Sequence, residues 1–332
     1  MWSLGLVAVE LATGLPLYPG NEDYDVLKFI IETQGQPPDH VLDSGVYTED
    51  YFIEDKDKQQ QAFLGEGGFG IVAKCRDTTT NQAVAIKVNK SDPDILQQAH
   101  VEIFILEQLR RLDPDAANIV QWNGFFHDGQ RVCLKFELLD QCLWDYIGDR
   151  NKQGLPISEV RPILGQITNA LSHLGSVGMV HADLKPGNIM VVNRHESPIK
   201  VKLIDFGLAC PASAVMPGDF VGTVGYCAPE VMLGLPYNEA SDMWSLGLVA
   251  VELATGVPLY PSENDYDYLK FIIETQGQPP DHVLDSDKYN LIKQMLALDA
   301  HQRITPSQVL RHPFFSPGLS KRFPCINIER PY

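Results

Sequence analysis

The hydrophobic pattern of this chain changes period part-way along, and that change constrains the fold more than any other feature. From residue 62 onward, short β-prone runs follow one another: AFLGEGG, FGIVAKC and AVAIKVN, separated by glycines and by the turn-like DTTTNQ, then RVCLKFELL. Residues 97–111 read as a helix between them. From Ser158 the apolar residues recur at helical spacing, through VRPILGQITNALSHLGSVG, MWSLGLVAVELATG and KYNLIKQMLALDA. A strand-rich half followed by a helix-rich half predicts an α+β fold of two unequal lobes with a cleft between them. The length of 332 residues agrees with about two domains.

A second feature is a long internal copy. Residues 1–44 repeat residues 243–286 at about 39 of 44 positions. Two copies so far apart are not a solenoid, whose periods are ~20–50 residues. Each copy reads as an apolar helix, a Gly-Pro break and a second helix stopped by Gln-Pro-Pro. The first of these helices is apolar on most sides, which marks a helix buried within a domain. Residues 45–61, GVYTEDYFIEDKDKQQQ, are polar and acidic and read as a linker.

Composition narrows the function classes. The net charge of −17 argues against a general nucleic-acid or anionic-membrane surface and permits a basic peptide partner. The six cysteines are scattered without a CxxC pair, as in a reduced intracellular protein. The apolar start lacks a basic n-region and is interrupted by Glu10, so it fits a signal peptide poorly. No run reaches the ~18–20 uncharged apolar residues of a membrane span.

The chemistry lies in a series of short motifs. Gly65, Gly67 and Gly70, in GEGGFGIV, allow backbone amides close to phosphates. A dinucleotide-binding turn would need a helix after the glycines and an acid ~20 residues on, but IVAKC is β-prone and Lys87 stands near that place. Lys87, within the apolar strand VAIK, requires a partner if it is buried. Glu102 shares the apolar face of the next helix with Ile105, Leu106 and Leu109, which makes it the expected partner; Glu107 lies opposite and can pair with Arg111. HADLKPGN then offers a carboxylate (Asp183), an ammonium (Lys185) and an amide (Asn188), and Asp205-Phe206-Gly207 adds a second hard oxygen ligand. Ala228-Pro229-Glu230 completes the order. Such a carboxylate can take a hydroxyl proton, such a lysine can hold a transferring phosphoryl, and the amide oxygen can bind magnesium.

This ordered set resembles the eukaryotic protein kinases over about residues 61–316. HADLKPGNIM, LGLPYNEASDMWSLG and PLYPSENDYDYLKFIIETQG are similar to the homeodomain-interacting and dual-specificity tyrosine-regulated kinases, among which Ala182 commonly replaces arginine. The resemblance implies a bilobal kinase fold with an N-lobe at 58–138, a C-lobe at 139–316 and a tail at 317–332. It implies ATP and Mg2+ as cofactors, and protein serine or threonine hydroxyls as substrates. Leu64, Gly65, Gly67, Gly70, Val72, Ala85, Phe136, Glu137, Leu139 and Met190 would surround ATP. Lys87, held by Glu102, would grip the α- and β-phosphates; Asp183 would orient the hydroxyl and Lys185 neutralise the γ-phosphate. Asn188 and Asp205 would hold magnesium, Glu230 would pair with Arg303, and Asp242 would anchor the catalytic loop. Thr223, in GTVGY, matches the threonine by which serine/threonine kinases brace Asp183 and Lys185. Nuclear residence is implied by the resemblance alone.

The sequence also departs from the family. Phe220 stands where relatives carry a tyrosine phosphorylated in cis, and Cys227 replaces an arginine beside that site. The polar 58–61 stretch predicts a frayed first strand, and HVLDSD runs straight into KYNLIKQML where relatives carry an insert. These losses keep a non-catalytic scaffold as the alternative to an enzyme, with a dinucleotide-binding oxidoreductase third. Residues 1–57 read as a duplicated C-lobe fragment with its linker, from a neighbouring kinase joined in front; a domain swap is the runner-up.

Overall fold

In a computed structural model the described residues are 30, 62–67, 70–150, 153–216, 221–262, 264–275, 291, 294–312 and 315. Apart from Ile30, the copy at 1–44, the linker to 61, Phe220, the insert position at 276–290 and the tail at 317–332 lie outside the described residues. The chain divides into two compact units, one built from residues up to 100 with 122–138, the other from 101–121 with 139 onward.

The first unit is a five-stranded antiparallel sheet in the order β1-β2-β3-β5-β4. Its strands are β1 (Ala62–Gly67), β2 (Gly70–Arg76), β3 (Ala83–Asn89), β4 (Trp122–Asp128) and β5 (Arg131–Glu137). The β1–β2 ladder runs from Ala62 opposite Lys74 to Gly67 opposite Gly70, so pairing starts immediately after the polar stretch that suggested fraying. Ile71, Val84, Ile86, Val88 and Cys133 form one buried cluster. All lie on one face, because side chains alternate along β2 and β3 and because Val84 and Val88 stand opposite Glu137 and Cys133. The helix α1 (Pro93–Leu109) runs from the first unit into the second. Its buried face carries Glu102, Ile105, Leu106 and Leu109, as the spacing predicts. Glu107 is outside but pairs with Arg110, 3.5 Å away, instead of Arg111: at this site the one-residue shorter spacing is the one that meets.

In the second unit, β6 (Gln141–Cys142) precedes α2 (Leu143–Gly148), α3 (Ile157–Ser176) and β7 (Met179–Val180). Then come β8 (Ile189–Val191), β9 (Val201–Leu203), β10 (Cys210–Pro211), α4 (Pro229–Met232), α5 (Ala240–Thr255), α6 (Asp265–Thr275) and α7 (Pro306–Val309). β6, β8 and β9 form a small antiparallel sheet, and β7 pairs with β10. The catalytic-type motifs therefore sit on the loops that leave β7 and β9.

The sequence ASDMWSLGLVAVELAT of α5 is apolar nearly all round, and its residues from Ser241 to Ala250 are all buried. The helix ends because Gly256 adopts φ +81°, a conformation that side chains with a Cβ enter at a cost, and its N–H closes on the Glu252 carbonyl at 2.7 Å. Gly247 lets a neighbouring segment approach: a Cβ there would lie 2.8 Å from Leu296 Cδ2 and 2.9 Å from Met295 Cβ. Among the described residues, no helix is long and apolar enough to cross a membrane. Gly247→Ala is expected to destabilise the protein by about 1–3 kcal/mol through overpacking. Urea unfolding checks this, and an unchanged midpoint would show that the Met295 segment yields freely.

Candidate active site

In the first unit the predicted nucleotide residues gather on the sheet face opposite the buried cluster. Val72 stands opposite Lys87 in the β2–β3 ladder, and Ala85 stands opposite Phe136 in the β3–β5 ladder. Val72, Ala85, Lys87 and Phe136 thus share one face, since positions two apart on a strand point the same way. At the hairpin tip a Cβ on Gly70 would collide with the Val88 carbonyl oxygen, so only glycine allows this approach of β2 to β3. Gly65 and Gly67 lie on the same hairpin, with Leu64 exposed beside them. Glu137 ends β5, and the boundary between the units falls after Leu138, which places Leu139 at the start of the second unit's next segment.

In the second unit the loop after β7 is pinned from beneath. Asp242, in the first turn of α5, accepts hydrogen bonds from the backbone N–H groups of His181 at 2.8 Å and Ala182 at 2.9 Å. Ala182 has φ +65°, a left-handed conformation that costs an alanine roughly 1–2 kcal/mol. The Asp242 carboxylate holds that residue in place. His181 is fully buried: its Nδ1 accepts from the Asp183 N–H at 3.3 Å, so Nε2 carries the proton given to the Ile204 carbonyl at 2.9 Å. Its ring meets Phe206 edge-on at 5.3 Å, joining the HADLKPGN loop to the Asp205-Phe206-Gly207 turn.

The carboxylate of Asp183 is fixed on both oxygens. Oδ1 accepts from the Thr223 hydroxyl at 2.6 Å, and Oδ2 accepts from Asn188 Nδ2 at 3.0 Å. Lys185 Nζ lies 2.9 Å from Oδ2 and donates to Thr223 Oγ1 at 2.8 Å. Thr223 reaches this position because Gly222, at φ +94°, lies against the loop: a Cβ there would be 2.8 Å from the Ala182 oxygen. Asn188 also donates to the Asp183 carbonyl at 2.8 Å, which commits its amide N–H groups to Asp183 and leaves Oδ1 as an acceptor. The Ile204 N–H donates to the Asn188 carbonyl at 3.0 Å, bringing the segment that leaves β9 toward Asp205 beside Asn188. Asp205 also has a left-handed φ, +58°, and accepts from the Gly207 N–H at 3.3 Å.

Two hard oxygen donors, from an amide and a carboxylate, suit magnesium, which takes one or two protein ligands and fills its remaining positions with phosphate and water. Among the described residues no group of three or more His, Cys, Asp or Glu could hold a metal. Such a cluster is what a tightly bound structural metal would need, and magnesium does not require it.

Below the loop, Glu230 and Arg303 form a buried bidentate pair at 2.6 and 3.0 Å. Arg303 also donates to the carbonyls of Ala240 at 2.8 Å and Ala297 at 3.0 Å, so both charges are fully engaged. Met190 is half-buried on β8, two residues after Asn188 in the chain. The residues that sequence reasoning left without a role are His181 and Phe206, together with a lower network. In that network Tyr226 donates to Glu252 at 2.5 Å, and Tyr268 donates to the Cys227 carbonyl at 2.8 Å. His181 opens the quoted motif, so its signal was visible; Tyr268 and Glu252 carry none. Burial pushes the Cys227 thiol up to about 12, which keeps it protonated and unreactive.

Burial also raises the Asp242 carboxyl above its ordinary value of 3.8, against the lowering effect of His181 and the two N–H bonds. A raised carboxyl pKa means that the folded state keeps a proton the unfolded chain has lost. This contribution is full below pH 3.8 and is lost as pH rises through the folded value. Asp242→Asn is therefore expected to melt below the wild type by a margin that narrows as pH rises above about 3.8. Thermal melts across that window check it, and a margin that widens would mean the N–H bonds outweigh burial.

The protein kinase domain family matches residues 58–315. Homeodomain-interacting protein kinase 1 of Caenorhabditis elegans is 44% identical over 224 residues, covering 68% of this chain and 26% of that protein. The Mus musculus homeodomain-interacting protein kinase 1 is 43% identical over 68% of this chain, and the Homo sapiens homeodomain-interacting protein kinase 4 is 42% identical over 67%. The chain spans 18% and 36% of the lengths of these last two relatives. With the braced Asp183 loop and a family match over most of its length, the chain belongs to the protein kinase domain family and is similar to its homeodomain-interacting members.

Proposed function

We propose that this chain is an ATP- and magnesium-dependent protein kinase that transfers the γ-phosphoryl group to serine or threonine hydroxyls of proteins. The observation that carries the reading is the three-way contact of Asp183, Lys185 and Thr223, with every bond between 2.6 and 2.9 Å. Phosphoryl transfer asks the protein for positioning and electrostatic stabilisation more than for covalent chemistry. Asp183, held on both oxygens, orients the attacking hydroxyl and takes its proton. Lys185 balances charge on the transferring group. Lys87 binds the α- and β-phosphates, the glycines at 65, 67 and 70 admit the phosphates to the backbone, and Val72, Ala85 and Leu139 meet the base. Magnesium on Asn188 and Asp205 would supply charge neutralisation at the phosphate oxygens.

The domain reading is part of the same proposal: a duplicated fragment and linker at 1–57, lobes at 58–138 and 139–316, and a tail at 317–332. The names of the relatives suggest protein partners, and the acidic net charge suits basic substrate segments. A nuclear location follows from those relatives only.

A radiolabelled-phosphate assay tests the enzyme against the scaffold alternative. Asp183→Asn is expected to lower kcat by about 10²–10⁴-fold, and Lys87→Met should abolish transfer. Thr223→Val, which leaves one Asp183 oxygen loose, is expected to lower kcat by about tenfold with little effect on melting temperature. Transfer that persists unchanged in Asp183→Asn would remove the catalytic reading. Deleting residues 1–57 is expected to leave transfer intact or improved, since it removes a surplus apolar segment. Loss of activity in that truncation would give the copied segment a structural role.

A further inference from the structure

The last residue of β3 is Asn89, only 1% exposed, and among the described residues nothing lies within hydrogen-bond distance of its buried Oδ1. Leaving such an acceptor unmet costs about 1–3 kcal/mol, which an apolar side chain of similar size would avoid. Its position in the register gives the clue to its use. Asn89 stands opposite Gly70, as Lys87 stands opposite Val72 and Ala85 opposite Lys74. Ala85, Lys87 and Asn89 therefore point to one face of the sheet, while Val84, Ile86 and Val88 point into the buried cluster on the other. The residue across from Asn89 is the glycine of the hairpin tip, which offers no side chain as a hydrogen-bond partner. Along β3 on that face the neighbouring long donor is Lys87, two residues back. That separation is about 6.7 Å, within the reach of a lysine side chain.

We propose that Asn89 is a positioning residue for Lys87. Its Oδ1 accepts one of the three N–H bonds of the ammonium while nucleotide is bound, leaving the others for phosphate and carboxylate. A neutral acceptor at this point steers the ammonium along the strand toward the hairpin tip without cancelling its charge. The inference rests on the reading of Lys87 as a phosphate ligand, and it explains why β3 ends on a buried amide.

The test uses the full chain, with melting temperature and equilibrium affinity for Mg-ATP measured on each variant. Asn89→Leu removes the acceptor while keeping the number and branching of side-chain heavy atoms; it is expected to fold with an unchanged or higher melting temperature and to bind Mg-ATP about tenfold more weakly. Asn89→Gln keeps a neutral amide oxygen and is expected to recover affinity to within about threefold of wild type. In a Lys87→Met background, Asn89→Leu is expected to cause no further loss, because the group it positions is gone. An Asn89→Leu variant that fails to fold or melts lower would make Asn89 structural and overturn the proposal. So would an equal loss from Asn89→Leu whether or not Lys87→Met is also present, or failure of Asn89→Gln to recover affinity. Wild-type protein that binds no Mg-ATP would remove the kinase reading along with it, whereas tight wild-type binding unchanged in Asn89→Leu would remove this inference alone.

Discussion

The second unit is organised around one buried carboxylate. Asp242 gives up hydration to sit in the first turn of a helix that is apolar nearly all round, and it is compensated by two backbone N–H groups from the loop above. Those bonds hold Ala182 in a left-handed conformation it would not adopt alone. The turn at Ala182 sets the direction of Asp183, and from that residue the chain of contacts to Thr223, Lys185 and Asn188 follows. Rigidity at the Asp183 carboxylate is thus inherited from a helix whose own stability is hydrophobic.

A related arrangement joins Glu230 and Arg303. A buried ion pair is weak evidence for stability, because desolvation cancels much of the attraction. Here the guanidinium also closes the carbonyls of residues 240, 297 and 298, and it lies 5.4 Å from the Trp244 ring. Its work is to tie the start of α5 to the segment before α7, which keeps Asp242 at its height beneath the loop.

The segment from Val221 to Cys227 is held by contacts of its own. Cys227 is turned inward: its Sγ meets the Val221 carbonyl at 3.4 Å and its thiol stays protonated. The backbone around it is regular, with Tyr226 and Cys227 both donating to the Thr223 carbonyl. Thr223 is therefore held from its main chain as well as from its hydroxyl.

Much of this was legible in the order of residues. Alternation in AVAIKVN separated the core face from the opposite face of the sheet, and the i, i+3, i+4, i+7 spacing put Glu102 on the buried side of α1. HADLKPGN and GTVGY named side chains that the structure brings into contact, because their chemistry is carried by residue type and short spacing. What those patterns could not supply was long-range geometry. The meeting of His181 with Phe206, the anchorage of Tyr226 on Glu252 and the unmet acceptor of Asn89 depend on which surfaces pack together. Even the choice between Arg110 and Arg111 for Glu107 was decided by side-chain reach on the folded helix. Sequence alone determined which elements form and which side chains can do chemistry, since propensity, periodicity and titratable groups are local properties. Tertiary structure alone decided which buried polar groups find partners, because hydrogen bonds between groups 40 and 61 residues apart in the chain exist only after the apolar helix has been covered.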